Sequence, residues 1–189
     1  LYKSGRIDAE ITRRLDMARS EFSALFQIWK NINISKQRKI QLYQSLILTK
    51  TLYGMQSVWI SKQLRNKLNA FHYWCLRKIL KIPHSFISHI TNKEVLEKAG
   101  MIPLSTLLLK QQMLYYGKIA RNHAHPVRNI IFDEDILQLR CIEKRRQGRP
   151  VLSWAVEVGK HANLLDCDIY DNFLWRKSVI EYCHRNPFV

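Results

Sequence analysis

Near the start of the chain, apolar residues recur every three to four positions, which is the spacing of one face of an α-helix. The stripe begins after Asp8, a suitable N-cap with Glu10 in the favoured first turn, and the segment Asn31–Asn33 ends it. Arginines fall mostly off the stripe. The pattern predicts one amphipathic helix with apolar positions Ile11, Leu15, Ala18, Phe22, Leu25, Phe26 and Trp29.

Two further helical patterns follow, and each begins at a serine. Ser35 is a predicted N-cap, and its helix should end near Gly54, because glycine readily adopts the left-handed conformation at a helix C-terminus. Ser61 begins the next helix, and Pro83 ends it because proline cannot continue the backbone hydrogen bonding. The inner faces are marked by Ile40, Tyr43, Ile47 and Leu48, and by Leu64, Leu68, Phe71, Cys75 and Ile79.

Shorter helical patterns continue toward the C-terminus. A capping box at 91–94 and Gly100 as a stop define a short helix, and a longer helix follows Pro103. Beyond it the pattern weakens, and two more helices are predicted, from about Val151 and after Asp168. The sequence therefore predicts an all-α fold, a multi-helix bundle followed by a smaller helical C-terminal part that a basic loop joins to it.

This organisation predicts three parts. Residues 1–82 would form the helical bundle, 83–143 a helical extension, and 144–189 the basic loop and the C-terminal helices. The main boundary is expected at the basic segment that contains glycine and proline, 144–150.

The charge of the chain is unusual, with 31 Lys and Arg against 15 Asp and Glu, a formal net charge of +16. Such self-repulsion is tolerable where a polyanion supplies the counter-charge, so nucleic acid is the first expected partner and an anionic membrane surface the second. A basic surface that binds neither remains an alternative. No apolar run approaches the roughly 20 residues that span a bilayer, and we expect no membrane partner.

The cysteines bear on the compartment. They are few and irregularly spaced, unlike the dense cysteines of a disulfide-stapled secreted protein. We therefore expect a chain of the nucleus or cytoplasm that is not secreted. The first residue is Leu1 rather than Met, which suggests a fragment or a trimmed product.

The second and third helices carry cations on their flanks and aromatic residues between them. Ammonium and guanidinium groups there can neutralise phosphates without reading sequence, and exposed rings can stack on bases. For any single ring a place in the core is the favoured alternative, because burying large rings dominates helix packing. The cations are Lys36, Arg38, Lys39, Lys50, Lys62, Arg65, Lys67, Arg77, Lys78 and Lys81, and the rings are Tyr43, Tyr53, Trp59, His72, Tyr73 and Trp74.

Several blocks of the chain resemble, in order, the region after the polymerase palm in non-LTR (LINE-type) retrotransposon reverse transcriptases. The blocks are Ile11, Arg14, Leu15, Ala18 and Phe22; Lys39, Leu42, Tyr43, Ser45–Leu48, Leu52, Tyr53, Gly54 and Trp59; Leu68, Phe71, His72, Cys75–Arg77, Ile79 and Leu80; Thr91, Asn92, Val95, Leu96, Gly100, Pro103 and Leu104; Gly117, Ile119 and Arg121; and Arg146, Gly148–Pro150 and Trp154. Lys118 and Gln147 depart from the family pattern.

The resemblance implies that 1–82 is the thumb, which lies along the primer–template duplex, and that the rest is the C-terminal region. The partners it implies are RNA, an RNA/DNA hybrid or DNA, and the palm and fingers of the parent polyprotein. Reverse transcriptases place adjacent Asp residues in the palm to hold Mg²⁺, and this chain has no Asp-Asp pair. We therefore expect a non-catalytic fragment with no cofactor of its own, Mg²⁺ belonging to the absent palm, and no metal site.

The hypothesis is thus a reverse-transcriptase fragment that grips template RNA or RNA/DNA hybrid without sequence preference. The alternatives are a stand-alone DNA-binding or scaffolding protein derived from such an element, a peripheral membrane or partner-binding protein, and a decayed product without activity. The predicted phosphate contacts are Arg38, Lys39, Arg65, Arg77 and Lys78, with Tyr53 and Trp59 supporting the turn and Arg145, Arg146 and Arg149 forming a second contact patch.

Overall fold

The structure, a computed structural model, describes residues 7–132 and 154–187, and its fold is all-α as the sequence predicts. The helices of the N-terminal half are α1 (Ile7–Ala24), α2 (Phe26–Lys30), α3 (Lys36–Tyr43), α4 (Thr49–Leu52), α5 (Lys62–Leu80), α6 (Ser85–Ser88) and α7 (Asn92–Ala99). Those that follow are α8 (Leu104–Arg121), α9 (Arg128–Ile131), α10 (Trp154–Ala162) and α11 (Asn172–Arg185). No helix in these described ranges is both long and apolar enough to span a membrane.

Local signals in the sequence place most helix ends. The hydroxyl of Ser35 accepts a hydrogen bond from the backbone N–H of the residue three positions later, at 3.2 Å, and Ser61 and Thr91 cap their helices in the same way. Gly54 and Gly100 take φ values of 70° and 62° at helix C-termini, a region that suits glycine. These five predictions are confirmed.

The first predicted helix is divided in two at Leu25, which the apolar stripe did not indicate. In a continuous helix, residues seven apart lie about 10 Å apart along the axis. The break instead lets Trp29 stack on Phe22 with 4.8 Å between ring centroids. The Trp29 indole N–H donates to the Phe22 carbonyl at 2.7 Å, and this closed hydrogen bond stabilises the bend.

A five-residue π-helical segment, Gln44–Leu48, joins α3 to α4. The sequence predicts one uninterrupted α-helix there. The structure differs from that prediction by this wider π turn. Ile47 and Leu48 within it are buried, and so are Tyr43 before it and Leu52 after it.

The described chain forms two compact units. The first lies within 1–53 and 60–105, and the second within 54–59 and 106–187. Residue 82 is inside the first unit, because α7 packs against α5. The other expected boundary, at 143–144, lies outside the described residues.

Helix α5 is the centre of the first unit, where α1, α3 and α7 pack against it. Its inner face holds one buried polar pair, His72 and Tyr43, with 2.9 Å between the His72 Nδ1 and the Tyr43 hydroxyl. Burial lowers the pKa of His72 to about 4 and outweighs a contact with the backbone of Ile102, which favours the protonated ring. Burial likewise raises the pKa of Tyr43, with a smaller contribution from Cys75.

In the second unit, α8 and α11 approach each other closely at Gly117. The indole of Trp175 lies on this glycine, and its N–H donates to the Met113 carbonyl at 3.2 Å. A Cβ at position 117 would lie 2.4 Å from the Trp175 Nε1. Glycine is therefore required here by packing, since its φ is not in the left-handed region.

Replacing Gly117 with alanine is expected to lower the free energy of unfolding by about 2 kcal/mol, because the added methyl group must displace the buried Trp175 ring. Chemical denaturation followed by tryptophan fluorescence measures the change. Ala124, which is exposed beyond the end of α8, offers a control, since Ala124→Ser should leave stability within about 0.5 kcal/mol. Equal effects of the two substitutions would contradict the packing role.

Candidate nucleic-acid interface

An apolar groove with a basic rim crosses the first unit and encloses about 790 Å³. Its aromatic lining comes from α1, α2 and α5, where Phe22 and Trp29 are buried. Phe26 and Trp74 are 49% and 39% exposed. Rings that present a free face in a groove can stack on flat ligands.

The exposed rings are held by buried ones. The ring of Trp74 lies 5.2 Å from that of Phe22 and 6.4 Å from that of Phe71, centroid to centroid. Since both neighbours are almost fully buried, one edge of Trp74 is anchored in the core while the rest of the ring remains accessible. The position of Trp74 in the groove is therefore fixed by its contacts with the core.

Three lysines line the rim of this groove, Lys30 at the end of α2 and Lys78 and Lys81 at the end of α5. Lys78 follows Trp74 by four residues, so the two side chains lie on one face of α5. The Lys30 Nζ lies 4.4 Å from the centroid of the Phe26 ring, a cation–π contact. Cations thus stand beside the two exposed rings.

No carboxylate of the described residues lies within 4.0 Å of these three lysines, although α1 and α4 of the same unit contain several ion pairs. The charge of Lys81 also acts on Lys39. Burial is the main cause of the lowered pKa of Lys39, and repulsion by Lys81 is the second cause. The groove is therefore locally positive. An anionic ligand would relieve that repulsion.

Lys39, one of the phosphate contacts expected from the sequence, is buried in the structure. Its side chain is only 4% exposed, and its Nζ donates to the carbonyls of Trp29 and Asn31 at 2.9 and 2.6 Å. The ammonium group satisfies carbonyls at the end of α2. Lys39 therefore supports the wall of the groove and does not face its opening.

Arg77, another of the expected phosphate contacts, is also buried. It is 8% exposed, and its guanidinium donates to the carbonyls of Pro83 and Ile90 at 2.9 and 2.6 Å and to the Asn92 side chain at 3.2 Å. A fourth, longer bond reaches the Ser88 hydroxyl. Arg77 thus fastens the segment between α5 and α7.

The other predicted contacts of the first unit are not gathered in one place. Lys78 lies on the groove rim, whereas Arg38 is exposed on α3 and donates to the Gln41 side chain at 3.1 Å. Arg65 is half-buried, and its Nε donates to the Ile60 carbonyl at 3.4 Å.

Tyr53 and Trp59 flank the turn at Gly54 but belong to different units. Tyr53 is 80% exposed, and its carbonyl accepts a hydrogen bond from Arg14. Trp59 is half-buried in the second unit, with its ring 6.1 Å from that of His161. The patch of Arg145, Arg146 and Arg149 lies outside the described residues.

Sequence reasoning did not single out Phe26, Ile32, Trp74, Lys30 or Lys81 as one site. Phe26 was assigned to the apolar stripe, and nothing in one sequence shows that α2 and the end of α5 meet. The one sequence pattern that could have indicated this site is a lysine one helical turn after an aromatic residue, as in Trp74 and Lys78.

No three His, Cys, Asp or Glu side chains converge as metal ligands within the described ranges. The His161 ring forms a hydrogen bond with the Tyr182 hydroxyl at 2.9 Å.

In the comparisons with known proteins, no family model, curated protein or solved structure matches this chain.

Proposed function

We propose that this chain is a nucleic-acid-binding segment of a LINE-type reverse transcriptase that grips template RNA or RNA/DNA hybrid without sequence preference. The groove of the first unit carries the proposal, because it combines exposed rings with lysines that no described carboxylate neutralises. The resemblance of the ordered blocks supports the parentage.

The chemistry of the groove suits a strand with unstacked bases. Phe26 and Trp74 offer faces for stacking, which is tolerant of sequence because every base has a π-face. Lys30, Lys78 and Lys81 can contact the phosphates beside those bases, and each contact releases counterions. A site of this kind binds through charge and stacking, and it makes no hydrogen bonds to the base edges that distinguish one sequence from another.

Changing Lys30, Lys78 and Lys81 together to glutamine is expected to weaken binding and to flatten its salt dependence. Each lost phosphate contact removes about 0.7 from the slope of log K against log salt on a single strand and about 0.9 on a duplex. The slope should therefore become shallower by about 2 on single-stranded RNA. Fluorescence anisotropy across a salt series measures it.

The matched control removes the same charge elsewhere in the first unit, with exposed Lys67, Lys93 and Lys98 changed to glutamine. That variant should retain the slope of the parent chain. Equal slopes for the two triple variants would mean that binding is spread over the surface, and the groove would lose its assignment.

A second pair of variants tests stacking. Phe26→Ala should weaken binding of single-stranded RNA about tenfold, whereas Phe86→Ala, at an exposed ring on α6, should not.

A preference of several kcal/mol for one sequence would instead favour a stand-alone DNA-binding protein.

A further inference from the structure

The second unit contains a polar cleft of about 610 Å³ that the groove described above does not include. One wall is the end of α8, where residues spaced three and four apart share a helix face, and the other is the beginning of α11. The lining residues are Leu114, Lys118, Arg121, Asn122, Asn172 and Arg176.

Three cations face this cleft, Lys118, Arg121 and Arg176. None of them has a carboxylate within 4.0 Å among the residues that the structure places. The Nη1 of Arg121 donates to the Ile169 carbonyl at 2.6 Å, which fixes the guanidinium beside the cleft. Arg121 is thus held beside the cleft, and no described carboxylate pairs with any of the three cations.

The cations also affect one another. Burial first, and then the charge of Arg176, lower the pKa of Arg121. Like charges that repel each other in this way are stabilised when an anion lies between them. The amide groups of Asn122 and Asn172 add neutral donors to the same lining.

We propose that this cleft is a binding site for a phosphate monoester. A monoester carries close to two negative charges at neutral pH, and arginine and lysine that line one cleft match a concentrated charge of that kind. A backbone phosphodiester carries one charge and is usually gripped by cations along an extended surface. The ligand class therefore includes a free mononucleotide and the phosphorylated end of a strand.

This site is separate from the groove in the first unit, and its test does not depend on the proposed function. Adenosine 5′-monophosphate and adenosine are titrated into the ¹⁵N-labelled chain at low salt, with side-chain N–H signals of Asn122, Asn172 and Arg176 followed by NMR. The monophosphate should saturate these shifts with a dissociation constant on the order of 1 mM. Adenosine should not shift them.

Arg176→Gln should weaken binding of the monophosphate about tenfold, because it removes one charge-assisted contact. Lys177→Gln removes the same charge from the next residue of α11, which is exposed and does not line the cleft. It should leave the affinity unchanged. Equal losses in both variants, or equal shifts with adenosine, would overturn the proposal.

The two sources are distinguished with oligonucleotides that have or lack a 5′-phosphate. Dependence of the same signals on the 5′-phosphate identifies a strand end, and saturation by the mononucleotide alone identifies a free nucleotide. Shifts that are identical for both oligonucleotides and retained in Arg176→Gln would show backbone contact elsewhere and contradict the monoester site.

Discussion

Replacing Arg77 with methionine is expected to lower the free energy of unfolding by about 4 kcal/mol. The guanidinium makes three hydrogen bonds of 2.6 to 3.2 Å to the segment after α5, two of them to backbone carbonyls. Bonds to a charged group contribute about 1.5–3 kcal/mol each. Methionine retains the apolar stem and leaves those acceptors unpaired.

Arg77→Lys should recover only part of the loss, because a single ammonium group cannot reproduce the geometry of the guanidinium fork. Lys78→Met, at the exposed neighbouring position, should change stability by no more than about 0.5 kcal/mol. Urea denaturation followed by circular dichroism measures all three.

The same variants decide between the role in the structure and the phosphate contact expected from the sequence. Arg77→Lys retains the positive charge and so cannot test a phosphate contact. Arg77→Met removes the charge, and its RNA binding is measured at low temperature, where the variant is still folded. If Arg77 contacts no phosphate, the salt slope of its RNA binding equals that of the parent. A slope shallower by about 0.7 with unchanged stability would restore the phosphate contact.

Acidification from pH 6.5 to pH 4 is expected to lower the free energy of unfolding by about 3 kcal/mol through His72 alone. The pKa of the buried ring is about 4, below the ordinary value of 6.5. The unfolded chain therefore binds more protons between these two values, and stability falls as the pH falls through them. Above about pH 7.5 the ring is neutral in both states, and this contribution is constant.

The measurement is urea denaturation at a series of pH values for the parent chain and for His72→Gln. The variant lacks the titrating ring, so its stability should change less with pH across this window. His123→Gln, at an exposed histidine beyond the end of α8, should retain the parent profile. Arg13 and Arg14 hold the pKa of Glu10 at about 2. The stability that this ionised carboxylate contributes is therefore lost mainly below pH 4. The loss is the same in the parent chain and in both variants. Parallel profiles would contradict a buried neutral His72.

The helix ends were predictable because their causes are local. Ser35, Ser61 and Thr91 act on an N–H only three residues away, and Gly54 and Gly100 are required by the backbone angle at a helix end. Such signals are contained in a short window of sequence. The break at Leu25 was not predictable, because it depends on how Trp29 packs on Phe22.

The site was harder to predict because burial is a tertiary property. Lys39 and Arg77 resemble surface cations in the sequence, yet carbonyls from distant turns surround them. Conversely, Phe26 continues an apolar stripe but is half exposed. Lys78 lies exposed on α5. Its neighbours in the groove come from parts of the chain whose proximity the periodicity does not reveal.

The π-helical segment has a consequence for the evolution of the chain. A π turn contains one residue more than the α turn that it replaces. The wider turn takes up the extra residue, so the buried faces of α3 and α4 stay aligned whether the extra residue is present or absent. Tyr43 and Leu52 both remain directed into the core around Gln44–Leu48. Related chains can therefore differ in length by one residue at this point without a compensating change elsewhere in the bundle.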